Sequence, residues 1–151
     1  MSLSLGFNHG QLALYIRQYV NGRATLYSLG FMMRRAAAVR LEIDERELKV
    51  GLRVIRDQNA QVSGEIFISD SLENGAGYSS HLGVPSEAEA LLQFLCGQGD
   101  TSFYAPLVAP PHETIYQTSC PDCLRDYSNL GVSQYFGLAF GIRFGEAWFG
   151  R

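Results

Sequence analysis

Two cysteines in Cys-x-x-Cys spacing, at the end of a long stretch without periodicity, constrain this chain more than any other feature. They stand in Ser119-Cys120-Pro121-Asp122-Cys123-Leu124-Arg125-Asp126-Tyr127-Ser128-Asn129. From Gly97 to Ser119 no helical or strand period survives, and Pro106, Pro110 and Pro111 forbid a long regular element. A structureless stretch of that length in a compact domain is functional or is held by something other than packing. Cys-x-x-Cys lets a tight turn aim two thiolates at one zinc, each about 2.3 Å from the metal in a tetrahedral site. Two more ligands are needed. His112 lies upstream in the same loop and Cys96 closes the preceding helix, so the predicted site is Cys96, His112, Cys120 and Cys123. A redox dithiol, a pair of buried thiols and a site that has lost its metal are the alternatives, and the absence of a βαβ pattern around the pair weighs against the first.

The three cysteines are an odd number, which argues against a secreted disulfide framework. The N-terminus lacks a basic region and an apolar run of signal-peptide length. The longest uncharged run, Tyr127 to Ile142, is too short and too polar to span a bilayer. A cytoplasmic protein with no membrane partner is the expectation. At 151 residues and 46% hydrophobic content the chain is expected to form a single domain, residues 1–151.

Its net charge of −3 hides an asymmetry. Residues 1–56 carry nine basic groups, eight of them Arg, against four acidic ones; residues 57–151 carry three against eleven. Arginine suits bidentate contact with phosphate. A basic face that meets nucleic acid is one reading, and ion pairs between the two halves are the other.

Along the chain, Leu3, Leu5 and Phe7, then Leu12, Leu14 and Ile16, alternate around Asn8-His9-Gly10 and predict a β-hairpin. From Thr25 the period becomes helical, with Leu26, Leu29, Met33, Ala37 and Leu41 on one face and Arg34, Arg35 and Ala38 opposite. Thr25 or Ser28 is the expected cap. Leu48, Val50, Leu52 and Val54 alternate as a half-buried strand that pairs with Glu65-Ile66-Phe67-Ile68-Ser69. Asp70 ends that strand, and the turn through Gly75-Ala76-Gly77 leads to a helix. Such a turn can present N–H groups to an anion, or can simply be tight. Pro85 with Ser86 and Glu89 predicts a capped helix ending at Gly97. Arg34, Arg35, Arg53 and Arg56 are the expected DNA-contacting residues. The tail repeats Gly137, Gly141 and Gly145 among Phe136, Phe140, Phe144, Trp148 and Phe149, a large apolar surface expected to cover the core or to dock on a partner.

Taken together, Asp70-Ser-Leu-Glu-Asn-Gly-Ala-Gly-Tyr78, a helix, a loop and Ser119-Cys-Pro-Asp-Cys-Leu-Arg-Asp-Tyr-Ser-Asn129 resemble the MrfA-type zinc-binding domain. Tyr27 to Ala38, Glu47 to Gly51 and Glu65 to Ile68 resemble it in order and spacing, so the likeness covers about residues 25–130. It implies a zinc-stabilised module serving a superfamily 2 DNA helicase or translocase, in DNA repair or antiphage defence. Where the family often has a further cysteine ahead of the Cys-x-x-Cys, Tyr116 stands here. Where it commonly has a His after Tyr-x-Asn, the aromatic tail follows, so either His112 and Cys96 substitute as ligands or the site is degraded and the fold stands without metal. No Gly-x-x-x-x-Gly-Lys-Ser/Thr loop is present, so the motor would lie on another chain or in a longer parent. The fold class expected is α+β: a small mixed or antiparallel sheet from two hairpins, helices packed on it, and a C-terminal zinc knuckle. The competing functions are a structural interaction subunit without DNA affinity and a small metal-dependent hydrolase or nuclease built on Asp70.

Overall fold

The computed structural model describes residues 2–8, 11–17, 22–56, 62–73, 75–107, 109, 124 and 129–131. Two hairpins form one antiparallel sheet, so the fold is α+β. β1 (Ser2–Asn8) pairs with β2 (Gln11–Arg17) from Ser2↔Arg17 to Asn8↔Gln11. β3 (Leu48–Arg56) pairs with β4 (Val62–Asp70) from Leu48↔Asp70 to Arg56↔Val62. The hairpins join through β2 and β4, with Leu14 opposite Ile66, giving the strand order β1-β2-β4-β3.

Strand alternation sorts the β3–β4 residues onto two faces. Leu48, Val50 and Leu52 share a face with Ile66 and Ile68, and α1 (Gly22–Leu41) packs on it. Gly30 permits that approach, since a Cβ there would sit 2.8 Å from Val50 Cγ1 and 3.3 Å from Ile66 Cγ2. Leu26, Leu29, Met33 and Ala37 enter the core as the helical period requires. The face expected in water does not stay there. Met32, Ala36, Ala38 and Arg34 are buried as well, because α1 is also packed against α3 (Pro85–Leu95) and against the 3₁₀ turn Glu45–Glu47. The helix also begins earlier than Thr25, and Ser28 is a buried interior residue, not a cap.

α1 ends in a Schellman turn: Ile43 N–H donates to the Ala38 carbonyl (3.0 Å) and Glu42 N–H to that of Val39 (3.3 Å). Glu42 occupies the left-handed position, φ 54°. α3 ends the same way, with Gln98 N–H on the Gln93 carbonyl (2.8 Å), Gly97 N–H on that of Phe94 (3.1 Å), and Gly97 at φ 67°. Its start differs from the capping box expected at Ser86 and Glu89. Val84 is the N-cap without a side-chain bond and Pro85 is the first helical residue. Proline there needs no N–H partner and its fixed φ suits the first turn, so the helix starts one residue ahead of the serine.

Between the sheet and α3, α2 (Tyr78–Leu82) adds Leu82 to the core; beyond α3, α4 (Tyr104–Leu107) adds Leu107. Pro106 is tolerated because α4 is a single turn. Among the described residues, no helix is long and apolar enough to cross a membrane.

Candidate functional site

The Gly-Ala-Gly turn holds an anion, and that anion belongs to the chain. Asp70 accepts the Gly77 N–H on Oδ2 (2.8 Å) and the Ser79 N–H on Oδ1 (2.7 Å). Gly77, at φ 81°, is the N-cap of α2, so the strand-end carboxylate satisfies donors that a helix start leaves open. Gly75 is obligatory for closeness: a Cβ there would lie 2.6 Å from Asp70 Cβ and Oδ2. Burial raises the Asp70 pKa, but the Ser79 N–H and hydroxyl and the N–H groups of Gly77 and Tyr78 outweigh it and hold the group below its ordinary value. Both carboxylate oxygens are engaged in capping. In this arrangement Asp70 serves as the cap of α2.

The arginines divide by environment. Arg34, expected on the exposed side of α1, is 6% exposed and bonds Glu45 Oε2 through Nη2 at 3.1 Å, with its guanidinium 5.0 Å from the Phe31 ring centroid. Its neighbour Arg35 lies 3.6 Å from the other Glu45 oxygen and keeps about a third of its side chain in solvent. In the sheet, Arg53 pairs through Nε with Glu65 Oε2 and lies 5.7 Å from the Phe67 centroid. Arg56 is exposed at the end of β3. A further surface cluster joins three helices: Arg40 bonds Glu87 at 3.1 Å, and His81 Nε2 lies 3.6 Å from the same oxygen. Three of the four arginines expected at DNA thus lie beside carboxylates; Arg34 is buried there, whereas Arg53 keeps about half of its side chain in solvent. The Arg53–Glu65 pair joins the two halves, as the second reading of the charge asymmetry expects, whereas Arg34 and Arg35 pair with Glu45 inside the basic half.

Of the predicted metal ligands, Cys120, Cys123 and His112 lie outside the described residues. Cys96 is the C-cap of α3, half-buried, and follows core residue Leu95. On the other side, Leu124, the residue after Cys123, is 4% exposed and belongs to the same core cluster as Leu95, Phe94 and Phe103. Asn129 is 1% exposed, and its side-chain amide donates to the Leu124 carbonyl at 2.7 Å. Leu124 is therefore seated in the main core, and the buried Asn129 amide is bonded to it. Among the described residues, no group of three or more His, Cys, Asp or Glu side chains is placed to hold a metal.

Sequence reasoning misses Glu65 and Asn129. Cross-strand register can find Glu65, since Arg53 and Glu65 face each other once β3 and β4 are paired. Asn129 carries no such signal; a polar residue in a Tyr-Ser-Asn string reads as a loop. No family model, curated protein or solved structure matches the chain.

Proposed function

We propose that the chain is a non-catalytic, zinc-stabilised module of the MrfA type that accompanies a DNA helicase or translocase in the cytoplasm and helps it to engage DNA or assemble its complex. The reading rests on the motif order from Asp70 to Asn129. The observation that carries it is the seating of Leu124. The residue after Cys123 is buried in the cluster that holds Leu95, the neighbour of Cys96. Cysteines flanked in this way by core residues suit a structural pin, not an exposed redox pair. Cys96, His112, Cys120 and Cys123 would hold the ion, and a structural zinc supplies folding free energy by cross-linking its ligands. With Asp70 engaged as a helix cap, the chain's part is binding and the motor's part is chemistry.

DNA contact falls to Arg35, Arg53 and Arg56, whose side chains reach solvent; the buried Arg34 supports the surface through Glu45. The test is a titration of short single- and double-stranded DNA at several salt concentrations. Phosphate contacts make log affinity fall linearly with log salt, by close to one unit of slope per contact in duplex DNA. The expected result is measurable binding at low salt, with Arg35→Ala, Arg53→Ala and Arg56→Ala each flattening the slope by about one. Binding that is absent at low salt, or insensitive to all three substitutions, removes the DNA arm.

A second reading, an assembly subunit with no DNA affinity, draws on the same pairs. Glu45 and Glu65 neutralise arginines that a nucleic-acid surface would keep for phosphate. The titration separates the two.

A further inference from the structure

The described helices build the core on one face of the sheet, beside Ile66 and Ile68. Strand alternation puts Lys49, Gly51 and Arg53 of β3 and Glu65, Phe67 and Ser69 of β4 on the other face, and the register carries that face to Ala13 and Tyr15 of β2. Lys49 is exposed there, Arg53 keeps about half of its side chain in solvent, and Phe67 is half-buried. Glu65 is 1% exposed, covered by its ion pair with Arg53 beside the Phe67 ring. Among the described residues of β3 and β4 on this face, the charge shown to solvent is therefore basic, in a chain whose net charge is −3.

Phe67 is set between the two smallest residues of this face, Gly51 on β3 and Ala13 on β2. A Cβ on Gly51 would meet Phe67 Cζ at 1.9 Å and Cε2 at 2.2 Å, so the ring reclines across β3 at the height where that Cβ would sit. The Arg53 guanidinium lies 5.7 Å from the ring centroid. Lys49 Nζ donates to the Ser71 carbonyl at 3.0 Å, which steadies the ammonium and uses one of its three donors. Lys49 and Arg53 stand four residues apart on β3, about 13 Å, with the row of the ring between them. We propose, building on the DNA reading above, that this face binds single-stranded DNA, with a base stacked on Phe67 and the flanking phosphates on Lys49 and Arg53. Rings on a basic surface take up bases, whose π-faces a single strand offers and a duplex keeps within its stack. A second copy of the chain fits less well, since two such faces would bring basic side chains together.

The test is fluorescence anisotropy of the full chain with a labelled thymidylate strand of about 15 nucleotides, within the range of known single-strand sites, and with a duplex of equal length. The single strand is expected to bind more tightly. Phe67→Leu keeps an apolar side chain and removes the ring, and is expected to weaken single-strand binding about five- to hundredfold while changing duplex binding less than twofold. Phe67→Tyr restores a ring and should bind as the parent does. Lys49→Ala should flatten the dependence of log affinity on log salt by about 0.7, the single-strand value for one phosphate contact. Val54→Ala, at a site 72% exposed on the helix side of the sheet, should change neither affinity. All variants are compared in protein that melts cooperatively; where Phe67→Leu does not fold, Lys49→Ala and the preference for single strand decide. DNA binding that favours duplex, or that neither Phe67→Leu nor Lys49→Ala alters, overturns the proposal and leaves DNA contact to Arg35 and Arg56. Absence of binding to either form at low salt overturns the DNA reading with it and leaves this face to a protein partner.

Discussion

At the scale of single residues, the chain places carboxylates where they complete the hydrogen bonding of other groups. Asp70 closes the start of α2, Glu45 holds Arg34 and Glu65 holds Arg53. Replacing Asp70 with Ala should cost about 1 kcal/mol, the ordinary worth of a helix cap, measured by urea unfolding. The pH dependence has a definite sign. The folded Asp70 pKa lies below its unfolded value of about 3.9, so its contribution is complete above that value and disappears as pH falls through the folded pKa. The stability gap between the parent and Asp70→Asn should therefore be flat at neutral pH and narrow below about pH 4. Arg34→Ala should lower stability by on the order of 2 kcal/mol, because it removes a buried ion-paired side chain, whereas Arg35→Ala should leave the melting temperature nearly unchanged. Equal effects from the two would contradict the division of labour along α1. Residues of this kind are poorly legible in sequence. The turn after Asp70 reads there as able to hold an anion or as merely tight. It is both, since the anion is seven residues upstream of the glycine that binds it.

At the scale of elements, both hairpins, α1, α3 and the helical turn after Gly77 are legible from period and punctuation, because strand alternation and helical spacing are local. The errors come from tertiary packing. In sequence Arg34 and Ala38 look solvent-facing because an isolated helix has one apolar stripe, but α1 has neighbours on more than one side. The boundary at α3 shifts because proline at the first helical position outcompetes the serine cap. Helix ends supply two tests of opposite sign. Glu42 sits at φ 54° in a Schellman turn, so Glu42→Gly should raise stability by roughly 0.5–1 kcal/mol. Gly97 sits at φ 67°, and a Cβ there would lie 2.8 Å from Tyr104 Cδ1, so Gly97→Ala should lower stability by more than about 1 kcal/mol. Thermal melts of the two variants check both, and the same sign for both would show that the left-handed positions are not what limits these ends.

At the scale of the whole molecule, the core runs from the sheet through α1 and α3 to Leu124, the residue after Cys123. Leu124→Ala should cost about 2–5 kcal/mol, as for other buried leucines, and should perturb the loop between α3 and the cysteines more than the distant β1–β2 hairpin. In sequence the Cys-x-x-Cys motif alone is a half-site, and only the Asn-Gly-Ala-Gly-Tyr turn upstream leads to the expectation of a structural pin. The burial of Leu124 and Asn129 is hidden in the sequence, because nothing local distinguishes a loop leucine that reaches the core from one that does not. The central claim is that zinc held by the cysteine stretch completes this fold. Its most direct test is the metal content of the purified chain beside that of Cys120→Ser. One zinc per chain is predicted, lost in the variant together with a substantial part of its thermal stability; a cooperatively folded parent chain that contains no metal, and a variant of equal stability, would contradict the account.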